Sequence, residues 1–458
     1  MNPHPQLARW RGFICLLLSC GISALWGVAL AWHRAGGTAD LKAIYYGARC
    51  VMHHRDPYKT SEFQSLYLAE GGKIPTGPPH QVLMFRAAVF RCINLPTTLL
   101  LIAPFALLAW GPAYALWMVL VAASLTIATF LAWELAGNYA PRLSLFLLCF
   151  MLANREILFT SGNAAGLAVS FCVIAVWCFL RSRCVPAGII LLAIGLVTKP
   201  QDVGFVWLYF LLAGGTRRKR ALQTLVVVAA LCLPAALWVS HAAPQWAQEL
   251  HANLLTGTAG RGLSNPGPTA LSSRTSQAIF DLQAAFSIFR NNPHFYNPVS
   301  YLLGCSLILV WIVVTLRKRL SPPRSRIGLA AISALTFLPV YHRIYDAELL
   351  MLMVPACAML WAAGGARRWL ALAITAAAIF STSDVPVGFL VLHIKHLPIA
   401  LSTLHGKMEM LALQPFPLIL LAAGCFYLWV YARYNLPADS LQRNAEGVNI
   451  PATASETP

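Results

Sequence analysis

Apolar runs separated by short polar turns repeat along almost the whole chain. A helix crossing hydrocarbon needs roughly 20 apolar residues, fewer where neighbours shield it. On that measure the pattern predicts crossings near 12–33, 95–110, 113–135, 143–160, 164–180, 185–198, 203–214, 221–241, 298–316, 327–341, 347–363, 369–385 and 413–432. Several are short, and short or interrupted membrane segments often surround a site. Two polar intervals are long, 34–94 and 242–297. Inside them, "TSEFQSLYLAEGG" (60–72) and "APQWAQELHANLL" (243–255) carry apolar residues at helical spacing and predict amphipathic helices at the interface. The expected fold is all-α and polytopic, with about 11–13 transmembrane helices. One membrane domain is expected over 1–436, followed by a disordered cytoplasmic tail over 437–458.

Basic clusters orient the chain, because cytoplasmic loops collect Lys and Arg. "ARWRG" (8–12), "RSR" (181–183), "TRRKR" (216–220), "RKRLSPPRSR" (317–326), "ARRW" (366–369) and "YARY" (431–434) are expected inside. From 181 onward they fall after every second crossing. The opposite side then holds 34–94, the region of 199–202, 242–297, the region of 342–346, and 386–412. Both termini are cytoplasmic on this reading. Two features conflict with this topology: the 34–94 loop itself holds eight Lys and Arg residues that the orientation rule would place inside, and Asn163 is to share a face with that loop while three crossings are counted between them. Either 143–160 is broken or re-entrant, or part of 81–94 enters the membrane.

Composition agrees with the pattern. The 458 residues are 58% hydrophobic and 11% charged, against about a quarter charged in soluble domains. The 34 Lys and Arg against 16 Asp and Glu give +18. In a polytopic chain that excess belongs to cytoplasmic loops, so no nucleic-acid partner is expected. The 12 cysteines form no CxxC pair and most lie in apolar runs, where Cys behaves as a small hydrophobe. Cys50 and Cys92 share a loop and could pair.

Polar residues at helix ends on the outer side converge: Asp40 after the first crossing, "SGN" (161–163), "TKPQD" (198–202) and "YHRIYD" (341–346). Ionisable groups near hydrocarbon are costly and tend to mark function. Lys199 either snorkels from a helix end or meets a phosphate. His342 and Arg343 either anchor at headgroups or add donors to an anion pocket. Asp40 either caps a helix starting at Leu41 or acts as a base. Tyr45, Tyr46 and the "RDPY" turn with Asp56 and Tyr58 supply aromatic and carboxylate groups that together suit a sugar.

"ADLKAIYYGARCVMHHRDPY" (39–58) resembles the first-loop signature of glycosyltransferase family 87, the polyprenyl-phosphate-mannose-dependent mannosyltransferases, which are membrane enzymes of GT-C architecture. The likeness continues through "SGNAAGLAVSFCVIAVWCFLRSRCVPAGIILLAIGLVTKPQ" (161–201) and "YHRIYDAELLMLMVP" (341–355), and departs where no Gln follows Gly162. The resemblance implies that Asp40 is the general base and that Lys199, His342 and Arg343 bind the donor phosphate. It also implies sugar or acceptor contacts from Tyr45, Tyr46, Asp56, Tyr58, Asn163, Gln201 and Asp346. The implied partners are a polyprenyl-phosphate sugar, a glycolipid or glycan acceptor and membrane lipids. A monomer without metal or other cofactor is expected, in a bacterial inner membrane with its site facing the periplasm. A transporter or flippase for a lipid-linked or anionic substrate is the alternative; it would place polar groups mid-helix with repeat symmetry.

Overall fold

The computed structural model of the protein describes residues 5–34, 36–260, 262–268, 279–317, 321–394 and 401–434. The tail expected over 437–458 lies outside the described residues, as do 318–320 of the fourth basic cluster. Among the described residues the chain is helical, with one isolated antiparallel bridge, Ile279–Arg343, and no strand.

A long apolar helix, α1 (Pro5–His33), leads into four short ones: α2 (Ala39–Met52), α3 (Thr60–Ala69), α4 (Pro79–Val89) and α5 (Pro96–Ala106). Then come α6 (Trp110–Ala136), α7 (Pro141–Leu152), α8 (Glu156–Ser161), α9 (Ala165–Arg181), α10 (Val185–Thr198), α11 (Pro200–Leu212) and α12 (Gly215–Ala242). Two short helices, α13 (Trp246–Thr258) and α14 (Leu282–Phe289), precede α15 (Pro293–Arg317) and α16 (Pro322–Leu335). A 3₁₀ segment (Ile344–Leu352) runs into α17 (Met353–Ala363), and α18 (Ala366–Ser381), α19 (Asp384–Ile394), α20 (Leu404–Leu413) and α21 (Phe416–Arg433) complete the order. Proline occupies the first turn of α4, α5, α7, α10, α11, α16 and α21. Its missing N–H is unneeded there and its fixed φ suits a helix start, so these prolines set the boundaries.

Seven helical stretches among the described residues are long and apolar enough to cross a membrane, and α18 with α19 forms an eighth candidate bent by 66°. The protein is an all-α polytopic membrane protein. Only 17% of the Gly215–Ala242 stretch is buried, against 83% of Ile344–Ala363; α12 faces lipid and the 3₁₀–α17 segment is core. The shorter apolar α9 and α10 pack closely on each other. Small residues allow the approach, since a Cβ on Gly195 would meet the Ala168 carbonyl at 2.9 Å.

The basic clusters gather at one end of the bundle. Arg9 and Arg181 both reach Glu134, and Arg220 donates to the Phe179 carbonyl. At the same end Arg217 donates to Ser325, and Arg324 donates to the carbonyls of Tyr431 and Tyr434. The elements of 34–94 and 242–258 sit at the other end, with helices α3 and α13 over the two stretches read as amphipathic.

The conflict in the crossing count resolves at 95–110, which was expected to cross. Helix α5 has 11 residues, about 16 Å at 1.5 Å per residue, roughly half of the 30 Å hydrocarbon thickness. At its start Thr97 donates to the Val197 carbonyl at 2.7 Å. At its end the Ala106 and Leu108 carbonyls accept from Arg49 and Tyr45 of α2, at 2.8 and 2.7 Å. Both ends of α5 are therefore tied to the same end of the bundle, and the helix lies across it. Two passes remain between Asp40 and Asn163: α6, and α7–α8, which is interrupted at 153–155. Cys50 and Cys92 are both buried free thiols.

Candidate active site

Four chain breaks meet at the loop-bearing end. The first is the turn into α2. Thr38 there takes a left-handed conformation, φ 59°, which is uncommon outside glycine. It is held by its N–H, which donates to the Thr160 carbonyl at 2.7 Å. This turn places Asp40 in the first turn of α2, where the helix dipole favours a carboxylate.

The second break follows α8. Gly162 adopts φ +68°, and a Cβ there would meet Leu41 Cβ at 2.7 Å, so only glycine turns the chain this close to α2. The turn presents Asn163, whose Nδ2 donates to Asp40 Oδ2 at 2.7 Å. The Asn163 Oδ1 accepts from the Ala165 N–H at 2.8 Å. That second bond fixes the amide orientation, because an N–H can meet only the oxygen. Asp40 therefore presents an accepting oxygen to Asn163.

The third break is the α10–α11 junction. Pro200 ends one helix and starts the next, leaving Lys199 between them and Asp202 in the following first turn. The fourth is the extended stretch from 341 into the 3₁₀ segment. Asp346 clamps the last two breaks together: Oδ1 accepts from Lys199 Nζ at 2.6 Å and Oδ2 from the Arg343 N–H at 2.7 Å. Asp202 stands 3.8 Å from Lys199 Nζ and 3.1 Å from His342 Nε2. The His342 Nδ1 meets the Val340 carbonyl at 2.7 Å. Lys199 also lies 4.7 Å from the Tyr345 ring centre, a cation–π contact.

Three cations, Lys199, His342 and Arg343, thus face three carboxylates, Asp40, Asp202 and Asp346. Burial disfavours the Lys199 ammonium, but Asp346 and Asp202 outweigh it, and its pKa is raised. Burial likewise opposes charge on His342, and Asp202 outweighs it to raise that pKa. For Arg343 burial is overcome by Tyr341, Tyr345 and Asp40. The Asp40 charge is felt at both Lys199 and Arg343, so this carboxylate and the cations share one electrostatic field.

The structure brings Asp40, Asn163, Lys199, His342, Arg343 and Asp346 together. Gln201, half-buried, follows Lys199 by two residues. The polar atoms of the remaining first-loop candidates bond within the loop region. Tyr45 donates to Leu108, and Tyr46 packs between Tyr45, Tyr67 and Trp110. Asp56 accepts from the Tyr58 N–H at 2.9 Å and neighbours Lys59 at 3.5 Å, while the Tyr58 hydroxyl donates to the Asn94 carbonyl. These four residues build the platform beside the site.

Sequence reasoning passed over two features. Asp202 stands three residues after Lys199, a one-turn spacing that was readable. The other is a fully buried ion pair, Arg155 Nε to Glu348 Oε1 at 3.7 Å, both 0% exposed. Beside it Asp384 accepts from the Ile157 N–H at 2.6 Å. Arg155 sits in the break between α7 and α8, within the 143–160 stretch for which a broken element was one of the two expectations.

The family model for glycosyltransferase family 87 matches residues 93–340, just over half of the chain. That span contains Asn163, Lys199 and Asp202, while Asp40 precedes it and His342 follows it. No curated protein and no solved structure matches.

Proposed function

The chain belongs to glycosyltransferase family 87, and from that premise we propose that this membrane glycosyltransferase moves a hexose, mannose, from a polyprenyl-phosphate donor to an acceptor hydroxyl. The site would face the periplasm of a bacterial inner membrane, with both termini in the cytoplasm. The single observation that carries the reading is the placement of Asp40, held as an acceptor by Asn163, in the same field as Lys199 and Arg343.

In this reading Asp40 takes the proton from the acceptor hydroxyl as that oxygen attacks the anomeric carbon. The bond from that carbon to the phosphate oxygen breaks and its electron pair leaves with the lipid phosphate. Lys199 and Arg343 stabilise the developing charge, so the reaction as written uses no metal. A single displacement inverts the anomeric configuration. Lys199 must first loosen its hold on Asp346, because the phosphate competes for the same ammonium. A glycolipid or glycan is the acceptor class, and Gln201 and the Tyr45–Tyr58 platform are the candidate contacts for it. A transporter or flippase is not favoured, given the family and the gathering of polar groups at one end of the bundle.

The test is direct. Purified enzyme is incubated with a panel of polyprenyl-phosphate sugars and membrane glycolipid acceptors, and lipid extracts are read by mass spectrometry. A new glycolipid is expected with the mannose donor in the wild type. Asp40→Asn keeps an oxygen for Asn163 to bond but cannot take a proton, and its yield should fall at least about 100-fold. Transfer from nucleotide sugars alone would reject the donor, and near-normal turnover by Asp40→Asn would reject the base.

A further inference from the structure

We propose that Asp202 and His342 form a buried counter-ion pair that sets how firmly Lys199 is held, making Asp202 a positioning residue for the donor phosphate. The inference rests on the reading of Lys199 as a phosphate ligand given above.

His342 and Asp202 are both 0% exposed. A carbonyl can only accept, so the 2.7 Å approach of Nδ1 to the Val340 oxygen places a hydrogen on Nδ1. On the other side of the ring, Nε2 faces Asp202 Oδ1 at 3.1 Å. That is an ion-pair distance, and the carboxylate favours the imidazolium form of the ring. Fully buried against Asp202, His342 acts through its charge. The second oxygen of the same carboxylate, Asp202 Oδ2, is 3.8 Å from Lys199 Nζ, whose closer partner is Asp346 at 2.6 Å.

A protonated His342 neutralises Asp202 and leaves Asp346 as the main competitor for the Lys199 ammonium. Loss of that proton uncovers a second carboxylate, and Lys199 is held more tightly against the incoming phosphate. Little solvent intervenes to screen the effect. Around His342 stand Asp202 from α11, with the buried Cys172 thiol of α9 in the field of that carboxylate, and Lys199 from the α10–α11 junction. Arg343 and Asp346 flank it on its own segment, Asp281 faces it from the segment before α14, and the Phe337 ring lies 4.9 Å away. The cationic form exists at low pH and is lost as pH rises through the raised pKa, so affinity for the phosphate falls with rising pH.

The experiment measures binding of polyprenyl phosphate to nanodisc-embedded protein across neutral to alkaline pH. His342→Gln should weaken binding about 10-fold at neutral pH, the size of coupling within one charged network, and converge with wild type at alkaline pH. Asp202→Asn should abolish the pH dependence. The double variant should return to within about threefold of wild type, since the carboxylate that His342 masks is gone. A double variant as weak as His342→Gln, or Asp202→Asn with wild-type pH dependence, overturns the proposal. Where Asp202→Asn does not fold, Asp202→Ser replaces it. Nitrogen-15 spectra of histidine-labelled protein, with His342 identified from the His342→Gln variant, should show an imidazolium that Asp202→Asn converts to neutral imidazole. If wild type fails to bind polyprenyl phosphate, the donor reading falls, and the imidazolium signal still reports on the pair alone.

Discussion

Replacing Asn163 by Asp changes one group and little else. The side chain keeps its shape, and its Oδ1 still accepts from the Ala165 N–H at 2.8 Å. What is lost is the Nδ2 donor that sits 2.7 Å from Asp40 Oδ2, a hydrogen bond to a charged group worth about 1.5–3 kcal/mol. What is gained is a second carboxylate with its charge centre about 4 Å from the first, a repulsion of about 4 kcal/mol at an effective dielectric near 20. Two carboxylates so placed answer by sharing a proton. At about 1.36 kcal/mol per unit, the last proton of the pair leaves roughly 3–4 pH units later than from a lone acid. The expected outcome is initial rates reduced about 10-fold near pH 6.5 and recovering above about pH 9. Asn163→Ala, which only removes the donor, should leave the rate at neutral pH within about threefold. The assay is initial rate against pH with the substrate pair found in the panel, with thermal midpoints in detergent as the folding control. If Asn163→Asp raises KM at every pH and leaves kcat and the profile unchanged, Asn163 contacts sugar and does not hold the base.

Lys199→Ala should raise the KM for the donor about 10-fold or more while the acceptor KM stays within about twofold; equal effects on both would remove Lys199 from the phosphate site. Arg155→Met strands the buried Glu348 carboxylate and should cost about 3–5 kcal/mol, seen as a lowered thermal midpoint, with most of the loss recovered in Arg155→Met/Glu348→Met. Additive losses in that double variant would show that the pair is uncoupled. Asp281 caps α14 through the Ala284 N–H at 2.8 Å, and burial pushes its pKa up to about 7 from 3.8. An acid whose folded value is raised keeps its extra proton in the folded state, so its contribution is present near pH 4 and lost as pH rises towards 7. Asp281→Asn retains the cap and removes the titration, so stability should decline less between those pH values, by at most about 4 kcal/mol. An unchanged pH dependence in that variant would place Asp281 in a wetter setting.

The location of the site was readable because its residues interrupt apolar runs. Lys199 stands before a proline that must end a helix, Asp40 opens a polar stretch after a long apolar one, and "YHRIYD" breaks the run around it. Their roles were less readable. Asn163 reads in the sequence as a contact for sugar, and its bond to Asp40 depends on a turn at Gly162 whose approach to Leu41 no spacing reveals. The three cations read as an unmatched positive cluster, yet Asp346 reaches Lys199, and Asp202 reaches His342, only through folding.

Composition and hydrophobic period by themselves determined the solvent of this chain, its helical class and most helix boundaries, because apolar length and proline position act locally. Whether an apolar stretch crosses was a tertiary matter: α5 is as greasy as a crossing helix, but contacts at both of its ends lay it across one end of the bundle. The pairing of charges was tertiary too. Residues 147 positions apart, such as Lys199 and Asp346, meet because helices of fixed length return the chain to the same end, and no local pattern carries that information.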